Sequence, residues 1–143
     1  MKLVDANVLL YAANESARHH VAAHDWLTGA LSSDEPVGFS WVVVLAFVRL
    51  ATRVGLFPRP LEVMEATGVV EAWLAQPPAI LAEPRPGHLQ VVTRLLESVG
   101  STGGNLVTDA HLAALAVQYR ATVVSFDRDF ERFGVPWSVP SGR

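Results

Sequence analysis

The chain has 143 residues, half of them hydrophobic, with no cysteine and a formal net charge of −3. This composition predicts one folded domain covering residues 1–143, because the apolar content suffices for a core and only 17% of the residues are charged. It excludes disulfide frameworks and thiolate chemistry, leaves Lys2 as the only lysine, and provides no general attraction to nucleic acid or anionic membranes.

The N-terminal segment, residues 1–17, has the early lysine and the apolar stretch of a signal peptide. Asp5 and Asn7 interrupt that stretch, so we interpret the segment as folded structure. The longest apolar candidate, residues 42–50, contains Arg49 and falls short of the run of about 18 residues that a spanning helix needs. We therefore expect a cytoplasmic protein with no membrane association.

Strands and helices are predicted to alternate along the chain, punctuated by proline and glycine. Ser40 is a favourable N-cap, and Pro60 and Pro86 suit the first turn of a helix. The predicted strands cover residues 2–5, 37–39, 79–83, 122–126 and 137–139. The predicted helices cover residues 8–13, 18–31, 41–54, 60–75, 86–100 and 105–119.

The predicted strands are continuously apolar, which is typical of a parallel sheet covered on both faces. We therefore predict an α/β fold: a single domain with a short parallel sheet of about five strands flanked by helices on both faces. In such a sheet, ligands bind beyond the carboxyl ends of the strands, at the point where the strand order reverses.

Three aspartates are predicted to meet at that edge of the sheet. Asp5 ends the first strand, Asp127 follows the fourth, and Asp109 lies near the start of the helix that leads into the fourth strand. Carboxylates so close repel one another unless they share a proton or a cation. A hard divalent ion with oxygen ligands, Mg²⁺ or Mn²⁺, fits this arrangement. Each aspartate alone could instead cap a helix or begin a turn, so their convergence is what indicates a metal site.

Other phosphate chemistries lack their required residues. A haloacid-dehalogenase-type phosphatase needs a second acid where Asn7 stands, and a response-regulator receiver needs a lysine after the last strand. Neither a P-loop nor a G-x-G-x-x-G fingerprint is present. We interpret Gly103, Gly104 and Asn105 as a turn that begins a helix rather than as a phosphate cradle.

Three blocks of the chain resemble the signature blocks of PIN-domain ribonucleases, and more narrowly those of the toxins of VapBC-type toxin–antitoxin modules. The blocks are LVDANVLLY at residues 3–11, NLVTDAHLAALA at residues 105–116 and SFDRDF at residues 125–130. They occur in the family's order, and the resemblance covers essentially the whole length of the chain.

The resemblance implies a Mg²⁺-dependent endoribonuclease, with Mn²⁺ as an alternative, that inhibits translation by cutting structured RNA such as tRNA or rRNA. It also implies a homodimer that is neutralised by a VapB-type antitoxin, whose tail fills the active-site groove. Asp5, Asp109 and Asp127 match the catalytic, metal-binding acids by position. Asn7 matches a polar neighbour of the site, and Asp129 is a candidate supporting acid.

The chain departs from the family pattern at one position. The family's second acid, usually glutamate, falls in the helix after the second strand, and Ala46 stands at that place. Three acids with water can still hold one Mg²⁺, whereas a second metal about 4 Å away lacks a ligand. The alternative function is therefore a catalytically weakened PIN-like module that binds RNA or antitoxin.

Because the net charge of the chain is negative, the attraction for RNA phosphates has to come from local arginines and from the metal ion. Arg49 and Arg53 are one helical turn apart, and Arg128 follows Asp127 directly. These three arginines are the candidate RNA-binding residues, and the alternative is that they are simply solvent-exposed side chains.

Overall fold

The computed structural model describes residues 1–100, 103–104 and 106–141. The strands in these residues are β1 (Lys2–Val4), β2 (Val37–Phe39), β3 (Ala79–Leu81), β4 (Thr122–Val124) and β5 (Trp137–Ser138). They form one sheet in the order β3-β2-β1-β4-β5, and every neighbouring pair is parallel. The chain order runs outward from β1 in both directions, so the strand order reverses between β1 and β4. The α/β fold predicted from the sequence is confirmed.

The described residues also form helices on both sides of this sheet. These are α1 (Ala6–Ala13), α2 (His20–Leu31), α3 (Trp41–Ala51), α4 (Val63–Leu74), α5 (His88–Ser98), α6 (Leu106–Tyr119) and α7 (Asp129–Arg132). They pack in two groups, α1 to α4 and α5 to α7. Because crossovers between parallel strands are right-handed, the two groups cover opposite faces. None of the helices described is long and apolar enough to cross a membrane.

Side chains directly after the strands start the first and third helices. Asp5 follows β1, and its Oδ1 accepts a hydrogen bond from the backbone N–H of Ala6 at 2.7 Å. Ser40 follows β2, and its Oγ accepts one from Val43 N at 3.2 Å. Both N-caps therefore lie at the carboxyl edge of the sheet, where each strand turns into a helix.

The predicted helix starts at Pro60 and Pro86 differ from the structure, and the one at Asn105 lies outside it. Pro86 precedes α5, which begins at His88 after the left-handed residue Gly87, so Pro86 does not lie in the first turn of that helix. The prediction that Pro60 lies in the first turn of a helix is wrong: α4 begins at Val63, where the Glu65 side chain accepts from Glu62 N at 3.0 Å. The Glu65 side chain thus satisfies a backbone N–H that has no partner within the helix, which favours a helix start at Val63 over one at Pro60. Asn105, the predicted start of the sixth helix, lies outside the described residues, and α6 is described from Leu106.

The core is tightly packed around β1, β2 and β4. The strand side chains of Val4, Val123 and Val124 are fully buried. Gly38 lies in β2, where a Cβ atom would stand 2.5 Å from the side-chain carbons of Met1 and Leu3. The β2 backbone is therefore covered by its neighbours' side chains, and glycine is the residue that leaves room for them.

Candidate active site

Three carboxylates come together near the carboxyl end of β4. Asp109 lies in the first turn of α6, Asp127 follows β4, and Asp129 begins α7. One side-chain oxygen of each lies within 4.8 Å of those of the other two. Sequence reasoning placed Asp109 and Asp127 together and treated Asp129 as a supporting acid; the structure includes Asp129 in the group itself. We call Asp109, Asp127 and Asp129 the acidic cluster.

Asp5 lies beside the acidic cluster, and both of its carboxylate oxygens accept hydrogen bonds. Oδ1 accepts from Ala6 N at 2.7 Å, and Oδ2 accepts from the Ser125 hydroxyl at 2.7 Å. The charge of Asp5 raises the pKa of Asp109, so the two carboxyl groups interact electrostatically. That Asp5 is itself a metal ligand stays a prediction.

Ser125 is a fully buried residue that links the first and last blocks of the site. Its Oγ donates to Asp5 and accepts from Asn7 Nδ2 at 3.1 Å and from Asp127 N at 2.9 Å. Asn7 Oδ1 in turn accepts from Phe126 N at 3.2 Å. Sequence reasoning named Asn7 as a polar neighbour but missed Ser125, although a hydroxyl residue at a strand end beside Asp127 is a usable signal. These bonds fix the backbone that carries Asp127.

The site carries more negative charge than its surroundings favour. Burial, and to a smaller extent the charges of Asp5, Asp127 and Asp129, together raise the pKa of Asp109 to about 7. Burial also raises the pKa of Asp5, with a smaller contribution from Asp127, although the hydrogen bond from Ser125 opposes the change. A bound cation would relieve both effects, because it stabilises the ionised carboxylates.

The chemistry of the acidic cluster fits a small hard cation. Mg²⁺ and Mn²⁺ prefer carboxylate oxygens, and ligands bound to Mg²⁺ at about 2.1 Å lie no more than about 4.2 Å apart. The observed limit of 4.8 Å between the three oxygens is close to that spacing. The three carboxylates are therefore grouped closely enough to share one ion if their side chains rotate towards it.

The remaining residues predicted to take part in the site lie on the surface or on a neighbouring helix. Arg49 and Arg53 are exposed. Arg128 is exposed and lies 3.7 Å from Glu131, an ion pair that solvent weakens. Ala46 is half-buried in α3, which packs against α1 and contains no acidic residue. The predicted roles of the three arginines stay predictions.

A hydrogen-bonded histidine pair lies close to the acidic cluster in sequence. His111 Nδ1 is 2.8 Å from His88 Nε2, and His88 Nδ1 is 2.8 Å from Gln118 Oε1. Gln118 Nε2 donates to Arg85 O, which supports this amide orientation. With His88 in its neutral form, these contacts are satisfied when its Nδ1 donates to Gln118 and its Nε2 accepts from His111. Burial, and secondarily the charge of His88, lower the pKa of His111.

Comparison with known proteins relates the chain to named ribonucleases along its whole length. It is 58% identical to Ribonuclease VapC37 of Mycobacterium tuberculosis, over 98% of this chain and 97% of the relative. It is 40% identical to Ribonuclease VapC31 of the same species over 93% of both chains, and 34% identical to Ribonuclease VapC33 over 98% of both.

Solved structures show the same fold at low sequence identity. The VapBC2 complex of Rickettsia felis bound to promoter DNA contains a chain that matches with a TM-score of 0.68 and 16% identity, covering 96% of this chain and 97% of that one. VapBC-1 of nontypeable Haemophilus influenzae matches with a TM-score of 0.68 and 14% identity, covering 96% of both chains. Residues 2–136 match the model of the PIN domain family. The chain therefore belongs to the PIN domain family and groups with its VapC members.

Proposed function

We propose that this protein is an endoribonuclease toxin of a type II toxin–antitoxin system that acts in the cytoplasm and depends on Mg²⁺, with Mn²⁺ as an alternative. The observation that carries the proposal is the acidic cluster, in which Asp109 has a pKa raised to about 7 by burial and neighbouring charge. The names of the full-length relatives support RNA as the substrate. The VapBC complexes among the structural neighbours support a VapB-type antitoxin as the partner.

The residues of the site have distinct roles in this proposal. Asp109, Asp127 and Asp129 would hold the ion, and Asp5 would add negative charge beside it. Ser125 and Asn7 hold the backbone of the β4 end through partly buried hydrogen bonds. When bound, Mg²⁺ supplies a water of lowered pKa and neutralises charge that develops on the scissile phosphate.

RNA recognition requires positive charge outside the acidic cluster. Arg49, Arg53 and Arg128 are exposed, so each can contact phosphate without losing a buried partner. A structured RNA such as tRNA or rRNA would present single-stranded loops to the site, and cutting it would inhibit translation.

Exposed apolar side chains on α3 and α4 support the proposal that the protein binds protein partners. Leu45 is 61% exposed, Val63 63% and Met64 85%, and the two helices that carry them pack together. Apolar surface of this kind suits an antitoxin or a second copy of the chain in a homodimer.

Cleavage of purified RNA is the direct test. Wild-type protein should cut tRNA or rRNA in Mg²⁺ and should stop when EDTA is added. Asp127→Asn should lower the rate by about a hundredfold or more, because it removes a negative ligand at the reacting centre. Asp34→Asn makes the same chemical change at an exposed acid outside the site and should leave the rate unchanged. Equal rates for the two variants would contradict the proposal.

Ala46 favours the second candidate, a binding module with weak catalysis. Asp5→Asn separates the two candidates, because asparagine keeps an N-cap acceptor for α1 but removes the charge beside the acidic cluster. A nuclease toxin loses RNA cleavage and growth inhibition with this change. A binding module keeps its effect on growth and its affinity for RNA.

A further inference from the structure

An aromatic cluster extends directly from the candidate active site. Phe126 lies between Ser125 and Asp127, and its backbone N–H donates to Asn7. Its ring stacks on the His19 ring at a centroid distance of 4.8 Å with the planes 17° apart. Phe126 is thus fixed at the acidic cluster and supports the His19 ring from one side.

Tyr11 completes the aromatic cluster. Its ring meets Phe126 edge-on at 5.3 Å and lies 5.8 Å from the His19 ring. The backbone oxygen of Tyr11 is 2.8 Å from His20 Nδ1, which ties the start of α2 to α1. The three rings of Tyr11, His19 and Phe126 therefore come from α1, the N-cap of α2 and the segment after β4, and hold a defined arrangement.

An open cavity of about 560 Å³ lies next to this cluster, and Tyr11 and His19 line it. Its size falls in the range of roughly 300–1,000 Å³ that small-molecule sites occupy. The segment that carries His19 forms one side, and residues 55–58 form the other. Buried Asn14 joins the two sides, because its Nδ2 donates to Leu56 O at 3.3 Å.

The charge of the cavity is opposite to that of the acidic cluster. Arg18 lines it and is exposed, and none of the described residues that line it is acidic. An exposed histidine ring backed by phenylalanine, with arginine beside it, is the combination that binds an unpaired base and its phosphate. A double-stranded segment presents no free base face, so an unpaired nucleotide is the occupant that these residues favour.

We propose that His19 and Tyr11, supported by Phe126, form a stacking subsite for one unpaired nucleobase of the RNA, with Arg18 contacting an adjacent phosphate. This inference rests on the proposed function, because it places the base beside the phosphate that the acidic cluster would act on. The subsite selects single-stranded loops over duplex and positions the strand at the acids.

Binding by base-containing and abasic strands tests this subsite. The probes are a fluorescent single-stranded oligoribonucleotide and the same strand with its bases removed, with Ca²⁺ replacing Mg²⁺ to neutralise the carboxylates. His19→Ala should weaken binding of the base-containing strand about tenfold and leave the abasic strand unaffected. His19→Phe should restore the affinity, because it keeps an aromatic face. His24→Ala changes an exposed histidine of α2 outside the cavity and should bind like wild type.

Failure of the subsite and failure of the nuclease give different results. If wild-type protein cuts RNA in Mg²⁺ but His19→Ala binds both strands as wild type does, the subsite proposal is wrong and a polypeptide segment becomes the better occupant. An equal loss on both strands also overturns it, because His19 would then act without contacting a base. If base-dependent binding is lost with His19→Ala while wild type cuts no RNA, the subsite stands and the nuclease proposal fails.

Discussion

Removing the charge of Asp109 should stabilise the metal-free protein at alkaline pH. The raised pKa means that the folded protein holds the Asp109 proton more tightly than the unfolded chain does. The stability that this proton contributes is complete below the unfolded value of 3.8 and is lost as the pH rises through about 7. A change of this size corresponds to about 4 kcal/mol for a fully buried group. Asp109 is only half-buried, so solvent screening reduces the effect to about 1–2 kcal/mol.

Urea unfolding in EDTA at about pH 5 and about pH 8 measures this difference. The free energy of unfolding of Asp109→Asn should exceed that of wild type by about 1–2 kcal/mol at the higher pH, or about 3–8 °C in Tm, and by less than half of that at the lower pH, where only the unfolded chain has ionised. Asp34→Asn, an exposed control, should match wild type within about 0.5 kcal/mol at both. Saturating Mg²⁺ should stabilise wild type by about 2.7 kcal/mol at a hundredfold excess over Kd, and the Asp109 variant much less.

Two results would refute this reasoning. If Asp109→Asn is less stable than wild type at the higher pH, the carboxylate is favourable in the folded state and no excess of negative charge exists at the site. If the variant gains the same stability at both pH values, the gain comes from the amide itself and not from removal of a charge.

Four further changes test other parts of the structure. Ser125→Ala should lower the free energy of unfolding by about 1–3 kcal/mol in urea, because the backbone N–H of Asp127 loses its acceptor. An unchanged urea midpoint would mean that water replaces the hydroxyl. Gly38→Ala should cost about 1–3 kcal/mol through overpacking, whereas Gly29→Ala, whose Cβ would meet nothing within 4 Å, should not destabilise. Because the pKa of His111 is lowered on folding, its neutral side chain contributes its full stability above pH 6.5, and this contribution is lost as the pH falls below that value. His111→Gln should therefore make Tm fall less steeply between neutral and acidic pH in thermal melts. Ala46→Glu should lower the Mg²⁺ concentration needed for half-maximal cleavage, and no difference would make this position irrelevant to metal binding.

The fold was predictable from the sequence because its signals are local. Continuous apolar strands and Ser40 indicated a parallel sheet with capped helices, and the structure has both. The short helix α7 was not predicted, since its four residues, Asp129–Arg132, are too few to show helical periodicity. The start of α4 was misplaced, because a proline signal competed with the acidic pair Glu62 and Glu65.

The candidate site was predictable only as far as topology determines it. Parallel strands bring their carboxyl ends to one edge, which placed Asp5, Asp109 and Asp127 in one region. The choice between Asp5 and Asp129 as the third member of the acidic cluster depends on side-chain direction at the start of α7. The role of Ser125 depends on its burial, and neither direction nor burial follows from residue spacing.

The position of β1 between β2 and β4 determines when the site can exist during synthesis. One edge of β1 pairs with residues 37–38, which emerge early from the ribosome, and the other with residues 122–124, which emerge late. The strand β4 is followed by Ser125, Asp127 and Asp129, so these residues emerge only after it. A nascent chain therefore carries Asp5 and an open, aggregation-prone strand edge, but no acidic cluster. Under the proposed function, a protein that attacks the translation machinery stays harmless to the ribosome that is making it until β4 and the acids that follow it have emerged.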